Sequence, residues 1–297
     1  MHHPRLLLDE LLDGYIGRLV LISGCNSEIA FARVLARNRG EHARDPSAVE
    51  FLQDVCSISG ASVQAILQKH TVAGALLIPA EYFLRGGAYP PGRRFAYRCW
   101  ADYAKEHLWM CPQCVEDDLK AQPFAYWRRS HQLPGTFTCR AHDEPLRFIA
   151  QPRLLSFSPA DALDRSRAAT PEMLTDITQN HRVKVASQFI ERILYPKRTP
   201  GVALRDGGEL DSTEFGLLGS NEVEHTLHTA FPTHWLRWAR PQGRLRCGTR
   251  DALLHGNAAK QPVGLLNLAM TASVLFPCAD QAIGALGKSP ALAQMAT

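Results

Sequence analysis

Two short cysteine knuckles constrain this chain more than any other feature. Cys111-Pro112-Gln113-Cys114 is a Cys-x2-Cys pair, and Cys139-Arg140-Ala141-His142 is a Cys-x2-His pair further on. Two residues between ligands let a tight turn aim both side chains at one ion, while backbone N–H groups donate to the sulfurs. Cys111, Cys114, Cys139 and His142 together offer three thiolates and one imidazole, a set that closes a tetrahedral shell. Soft sulfur plus imidazole prefers Zn2+ to magnesium or calcium. Four protein ligands leave no open coordination position, so the pattern predicts a structural rather than a catalytic Zn2+. Two unrelated pairs are the alternative, and the repeated spacing speaks against it. The stretch from Met110 to Ile149, about forty residues, has too little core to fold unaided; metal binding would supply the missing free energy.

Other metal-type residues are weaker signals. His131 lies between the knuckles and could replace a ligand, but reads better as a hydrogen-bonded support behind them. His225, His228, His234 and Cys247 could form a second site, yet the His-x2-His pair reads as a helix surface. Cys25, Cys56, Cys99 and Cys278 sit among apolar or small residues and read as core thiols, since a cytosolic chain does not rely on disulfides.

On both sides of the knuckles the apolar pattern is helical, and the predicted fold class is mainly α. Three parts are expected: an N-terminal helix-turn-helix domain over 1–95, a small Cys3His zinc-binding module over 96–150, and a C-terminal helical domain over 151–297. Leu6, Leu7, Leu11, Leu12, Tyr15, Ile16, Leu19 and Val20 recur at helical spacing, so the first helix is expected from Leu6. Asn26 or Ser27 caps the next helix, and Asp45 the one after. That helix ends in a turn over Ser57–Gly60, and a short helix follows from Ala61 to Lys69. Pro171–Tyr195 is in helical phase throughout, Val263–Phe276 is a last apolar helix, and Gly284, Gly287 and Pro290 mark a fraying tail.

Short helix, glycine-containing turn, short helix is the pattern of a DNA-binding helix-turn-helix. Ser62, Gln64, Gln68 and Lys69 would then face outward, where Ser and Gln meet base edges or phosphates and Lys69 meets a phosphate. A plain antiparallel helical hairpin explains the same pattern, and pattern alone leans towards it. Charge adds a little. The net charge of +4 is too weak to prove nucleic-acid binding, but Arg93, Arg94 and Arg98 share an acid-free stretch with Phe95 and Tyr97. These three arginines are candidate phosphate contacts.

The chain of 297 residues, 45% hydrophobic and 21% charged, has ordinary globular composition. Its apolar stretches are too short to span a bilayer, and Asp9, Glu10 and Asp13 interrupt any signal-type apolar run, so a cytoplasmic protein is expected. No phosphate loop, dinucleotide fingerprint or nucleophile elbow is present, nor an evident carboxylate dyad. A hydrolase or nuclease with catalytic zinc would need an open metal position, so no catalytic residues are expected.

Leu108–Cys114, continuing through Ala125-Tyr126-Trp127-Arg128-Arg129-Ser130-His131-Gln132-Leu133-Pro134-Gly135 to Cys139–His142, resembles the TniQ/TnsD family of transposon target-selection proteins. Asp9-Glu10-Leu11-Leu12-Asp13-Gly14-Tyr15-Ile16-Gly17-Arg18 is similar to the family's opening helix. The likeness is specific across the knuckles and the run between them, and loose after residue 150. No second Cys-x2-Cys follows His142, where many members carry another knuckle. The resemblance implies a helix-turn-helix, a zinc module with Cys111, Cys114, Cys139 and His142 as ligands, and a helical C-terminal region. It also implies a role without catalysis, namely recruiting a transposon AAA+ ATPase, and through it the transposase, to chosen target DNA. Members bind an attachment sequence or dock on an RNA-guided CRISPR Cascade complex, so a protein-only adaptor with little DNA contact is the alternative. A homodimer is also left open, and no membrane partner is expected.

Overall fold

The computed structural model describes residues 4–40, 47–72, 105, 107–150, 157–195, 229–239 and 265–286. It is mainly helical and divides into two compact units. The first comprises Met1–Gly74, Pro79–Leu133 and Phe137–Ala169; the second comprises Ala75–Ile78, Pro134–Thr136 and Thr170–Thr297.

The first unit opens with four short helices: α1 (Leu12–Ile22), α2 (Glu28–Asn38), α3 (Ala48–Ser59) and α4 (Val63–His70). Leu12, Tyr15, Ile16, Leu19 and Val20 form the buried face of α1. Helix α1 starts at Leu12 rather than Leu6 because the preceding residues pair elsewhere. Asp9 has φ of 61°, and the Leu11 N–H donates to the Trp127 carbonyl at 2.7 Å. Ser27 caps α2 through the Ala30 N–H, and the Phe31 and Phe51 rings of α2 and α3 meet edge to face at 6.2 Å.

Ser47, not the expected Asp45, caps α3, sharing a reciprocal capping box with Glu50. Asp45 itself lies outside the described residues. With that start secured, α3 runs through Ser57-Ile58-Ser59, where a turn was expected, and stops at Gly60. Cys25 and Cys56 are half-buried rather than enclosed, as is Cys278, and burial pushes the Cys56 thiol up to about 11. Cys99 lies outside the described residues.

The rest of the first unit contains β1 (Leu108–Met110), α5 (Pro112–Ala121), a 3-10 turn (Ser130–Gln132), β2 (Arg147–Ile149), α6 (Pro159–Leu163) and β3 (Arg167–Ala168). The strands form an antiparallel sheet in the order β1-β2-β3, with Trp109 opposite Phe148. This sheet was not foreseen, because strands of two or three residues are too short to show an alternating pattern. Gln132 extends it without being a strand: its amide accepts from the Trp109 N–H at 3.0 Å and donates to the Trp109 carbonyl at 2.7 Å.

The N-terminal turn locks into this sheet region. Glu10 pairs antiparallel with Arg128, Arg129 N–H donates to the Asp9 carbonyl at 2.7 Å, and the Ser130 N–H and hydroxyl both donate to the Asp9 carboxylate. Glu10 is fully buried and takes both oxygens to Arg18, each at 2.7 Å. Removing one partner of such a pair would leave an uncompensated buried charge, destabilising by about 3–5 kcal/mol. Gly14 lets α1 approach Trp127 closely, since a Cβ at that position would stand 3.0 Å from the Trp127 Cβ.

The second unit contains α7 (Pro171–Gln179), α8 (His181–Leu194), α9 (Thr233–Ala239), α10 (Leu265–Leu275) and α11 (Ala279–Leu286). Pro171–Tyr195 had been expected as one helix, but it breaks at Asn180, whose side chain accepts from Val183 N–H at 3.1 Å and caps α8. Helix α11 was not foreseen: its Ala279 and Ala282 are buried, it packs against α8, and it takes in Gly284, where the fraying tail was expected to begin, while Gly287 and Pro290 lie outside the described residues. The apolar periodicity of such a short alanine-rich helix is easy to miss beside a glycine.

Candidate metal centre

Helix α5 begins directly after Cys111, with Pro112 at its first position, where a missing N–H costs nothing. Cys111 and Cys114 are thereby set on the first turn of one helix. The second knuckle is a tight turn: Cys139 N–H donates to the Glu144 carbonyl at 2.7 Å, Asp143 N–H returns to the Cys139 carbonyl at 2.8 Å, and Asp143 takes φ of 53°. An isolated bridge between Thr138 and Pro145 closes its base.

The two knuckles meet. The His142 Nδ1 lies 3.4 Å from the Cys111 and Cys114 sulfurs and 3.5 Å from that of Cys139, and the Cys114 and Cys139 sulfurs are 3.5 Å apart. All four donor atoms lie within 4.8 Å of one another, and the three cysteines are buried. A tetrahedral shell with metal–sulfur bonds near 2.3 Å and a metal–nitrogen bond near 2.0 Å has edges of about 3.5–3.8 Å. The separations fit that shell, and the four residues could hold a metal ion.

The protonation pattern points the same way. Hydrogen bonds from Cys114 and Cys139 hold the Cys111 thiol down at about 3, while the Cys114 thiol is pushed far up by its hydrogen bonds to Cys111 and Cys139. Three thiolates this close repel one another, and a divalent cation is what would let all three ionise.

Side chains around the cluster hold it in shape. The His142 Nε2 faces Asp117 of α5 at 2.9 Å, which places the proton on Nε2 and leaves Nδ1 as a lone pair directed at the sulfurs. His131 is buried, hydrogen-bonds to Cys139, and is held neutral by desolvation. Arg128 donates two bonds to Asp118, at 2.7 and 2.8 Å, and its charge favours the thiolate of Cys114. Sequence reasoning had singled out His131 but missed Asp117 and Asp118. Their signal was present, since carboxylates three and four residues after Cys114 on a helix return to its side.

Of the residues expected to touch nucleic acid, Ser62 is exposed at the start of α4, and Gln64, Gln68 and Lys69 are exposed on it. The Ser62 oxygen caps α4 through the Ala65 N–H at 3.1 Å. Arg93, Arg94 and Arg98 lie outside the described residues, as do His225, His228 and Cys247. His234 is exposed on α9. Among the described residues, no helix is long and apolar enough to cross a membrane.

No curated protein matches the chain. Residues 1–146, which hold α1 to α4, the Asp9–Leu11 turn and all four residues of the cluster, match the model of the TniQ family, so this span of the chain is a TniQ domain.

Proposed function

We propose that this protein is a non-catalytic adaptor that selects the target site in DNA transposition. Its TniQ domain associates it with transposition target selection. In this reading the Cys3His cluster holds a structural Zn2+, since four protein donors of soft type close the shell and leave no place for substrate. The closed cluster carries the proposal: it braces the sheet region onto which the N-terminal helices are locked, so its product is a rigid platform rather than a reacting atom. The α3–α4 pair acts as the helix-turn-helix, with Ser62, Gln64, Gln68 and Lys69 towards target DNA and Arg93, Arg94 and Arg98 on phosphates. The partners are the transposon AAA+ ATPase and, through it, the transposase. The work is done in the cytoplasm, where target DNA is met.

One observation favours a second reading. Lys69 is the single lysine or arginine of α4, a sparse charge for a helix laid in a groove. A protein-only adaptor docked on a Cascade–guide RNA complex would need no more.

The test is binding of the zinc-loaded chain to target DNA and to random DNA by fluorescence anisotropy across a salt series. Combined substitution of Gln64, Gln68 and Lys69 by Ala should weaken target binding at least about tenfold with metal content unchanged. Substituting Arg93, Arg94 and Arg98 should flatten the salt slope by about 0.9 for each phosphate they cease to neutralise. Negligible binding of the unaltered chain to any DNA at physiological salt, with capture by the RNA-guided complex retained, would retire the DNA-reading adaptor in favour of the second form.

A further inference from the structure

A continuous set of contacts runs from the sulfur cluster to the far end of α4. Cys114 and Asp118 are one helical turn apart on α5, so a metal that pins the Cys114 sulfur also sets Asp118. Asp118 is buried and grips Arg128 with two bonds, and its Oδ2 also accepts from the Tyr126 N–H at 3.4 Å. The Arg128 guanidinium lies 4.3 Å from the Tyr126 ring, and the Tyr126 hydroxyl donates to the Leu8 carbonyl at 3.3 Å. Arg128 and Cys114 also line one crevice together.

From there the backbone carries the connection on. Arg128 pairs with Glu10, Trp127 with Leu11, and Arg129 with Asp9. The carbonyl of Glu10 accepts from the His70 Nδ1 at 2.8 Å, and the Arg129 Nε donates to the Thr71 carbonyl at 2.7 Å. His70 is the last residue of α4, and Thr71 follows it. The seat of α4 is therefore built from the turn that Arg128 holds, although α4 itself contributes nothing to the cluster.

We propose that Arg128 is a positioning residue through which metal loading sets the N-terminal turn and, with it, the placement of α4. This inference rests on the reading of α4 as the target-facing helix for its consequence, that a protein lacking metal presents no organised target surface. The coupling itself is defined without DNA. Three thiolates around a divalent ion keep one net negative charge, and the guanidinium beside Cys114 senses it while its other face is fixed by Asp118. Arg128 thus connects the state of the cluster to the backbone ladder at Glu10 by a rigid, two-pronged hold rather than by a flexible tether.

Hydrogen exchange of the full chain, zinc-loaded and after chelation, tests this. Removal of metal should speed exchange at least about tenfold over residues 9–12 and 63–72, as well as at the knuckles. In R128A still carrying one equivalent of metal, the same two segments should lose protection while Cys139–Asp143 keeps it. R128K, with the charge but not the fork, should recover part of the loss. Cobalt substitution reads the link from the other end: the sulfur-to-cobalt charge-transfer band should shift in R128A. If R128A fails to hold metal, the loaded and chelated forms of the unaltered chain decide the matter alone. Unchanged exchange over 63–72 after chelation overturns the proposal. So does R128A with metal and full protection, and so does an unshifted cobalt band, which would reduce Arg128 to local packing. Because no DNA enters the measurement, a failure of DNA binding in the separate anisotropy test leaves this result standing.

Discussion

The knuckle region and the helices of the second unit hold themselves together by different means. Around the cluster, buried rings of Trp109, Trp127, Phe137 and Phe148 are tied together by directed polar contacts: Asp117 to His142, Asp118 to Arg128, Gln132 to both backbone groups of Trp109, Glu10 to Arg18. In the second unit cohesion comes from apolar faces. Phe189 and Ile190 of α8, Trp235 of α9 and Ala269 and Met270 of α10 are buried, and α8 packs against α10 and α11. Even a buried polar side chain there is satisfied locally, as Ser273 donates its hydroxyl to the Met270 carbonyl at 2.8 Å. Polar closure is specific but fragile, since each bond depends on its neighbours; apolar packing tolerates damage by degrees.

The largest expected effect separates the two regions outright. Chelation, or Cys139→Ser, should remove folding free energy on the order of 10 kcal/mol from the knuckle region, because its metal-free sulfurs repel and its turns are held by the ion. Hydrogen exchange should show the amides of Cys139 and Asp143 losing protection while those within α8 keep theirs. Equal loss in α8 would mean that the second unit also depends on the ion, and the contrast would fail.

A smaller effect probes the apolar side. Gly135 has φ of +76°, and a Cβ there would stand 2.7 Å from the Leu266 Cδ1 and 3.3 Å from Ile190 and Trp235. Gly135→Ala should destabilise the second unit by about 1–3 kcal/mol, through left-handed backbone strain and a displaced Leu266. Metal content should be unchanged. Calorimetry of the zinc-loaded variant checks both, and a loss of metal would show that this glycine serves the knuckles instead.

The same contrast explains what could be read in the sequence. The cluster residues were legible because metal chemistry demands fixed residue types at fixed spacing, and four such positions carry their own signal. The helices were legible from periodicity, but their ends were not. The start of α1 is set by Asp9 and Leu11 pairing with a stretch more than a hundred residues away. The break at Asn180 is decided by one side-chain cap. Helical spacing places Asp117 and Asp118 on the side of α5 that carries Cys114, but no local pattern records that they meet His142 and Arg128, or that Gln132 makes two bonds to Trp109. The Tyr-Trp-x-Arg and Asp-Glu-x-Leu stretches stand out separately through resemblance; that they pair with each other is a property of the fold alone.

The smallest effect sharpens the comparison within the first unit, at the seat of α4. His70 is half-buried with its Nδ1 donating to the Glu10 carbonyl, and desolvation is the main force lowering its affinity for a proton. The Arg129 and Lys69 charges lower it further, while the Glu10 carbonyl bond and the Asp9 carboxylate raise it, and the net shift is downward. A histidine whose folded pKa lies below its unfolded value is held neutral by folding. Its contribution is full above the usual histidine value of about 6.5 and is lost as the pH falls through that value towards the lower folded one. Thermal melts of the zinc-loaded chain should therefore drop between neutral and mildly acid pH, and His70→Gln should drop less over the same interval. The variant is compared with the unaltered chain at each pH because acid also loosens metal–thiolate bonds in both. Parallel curves for the two proteins would assign the whole acid sensitivity to the cluster and none to the seat of α4.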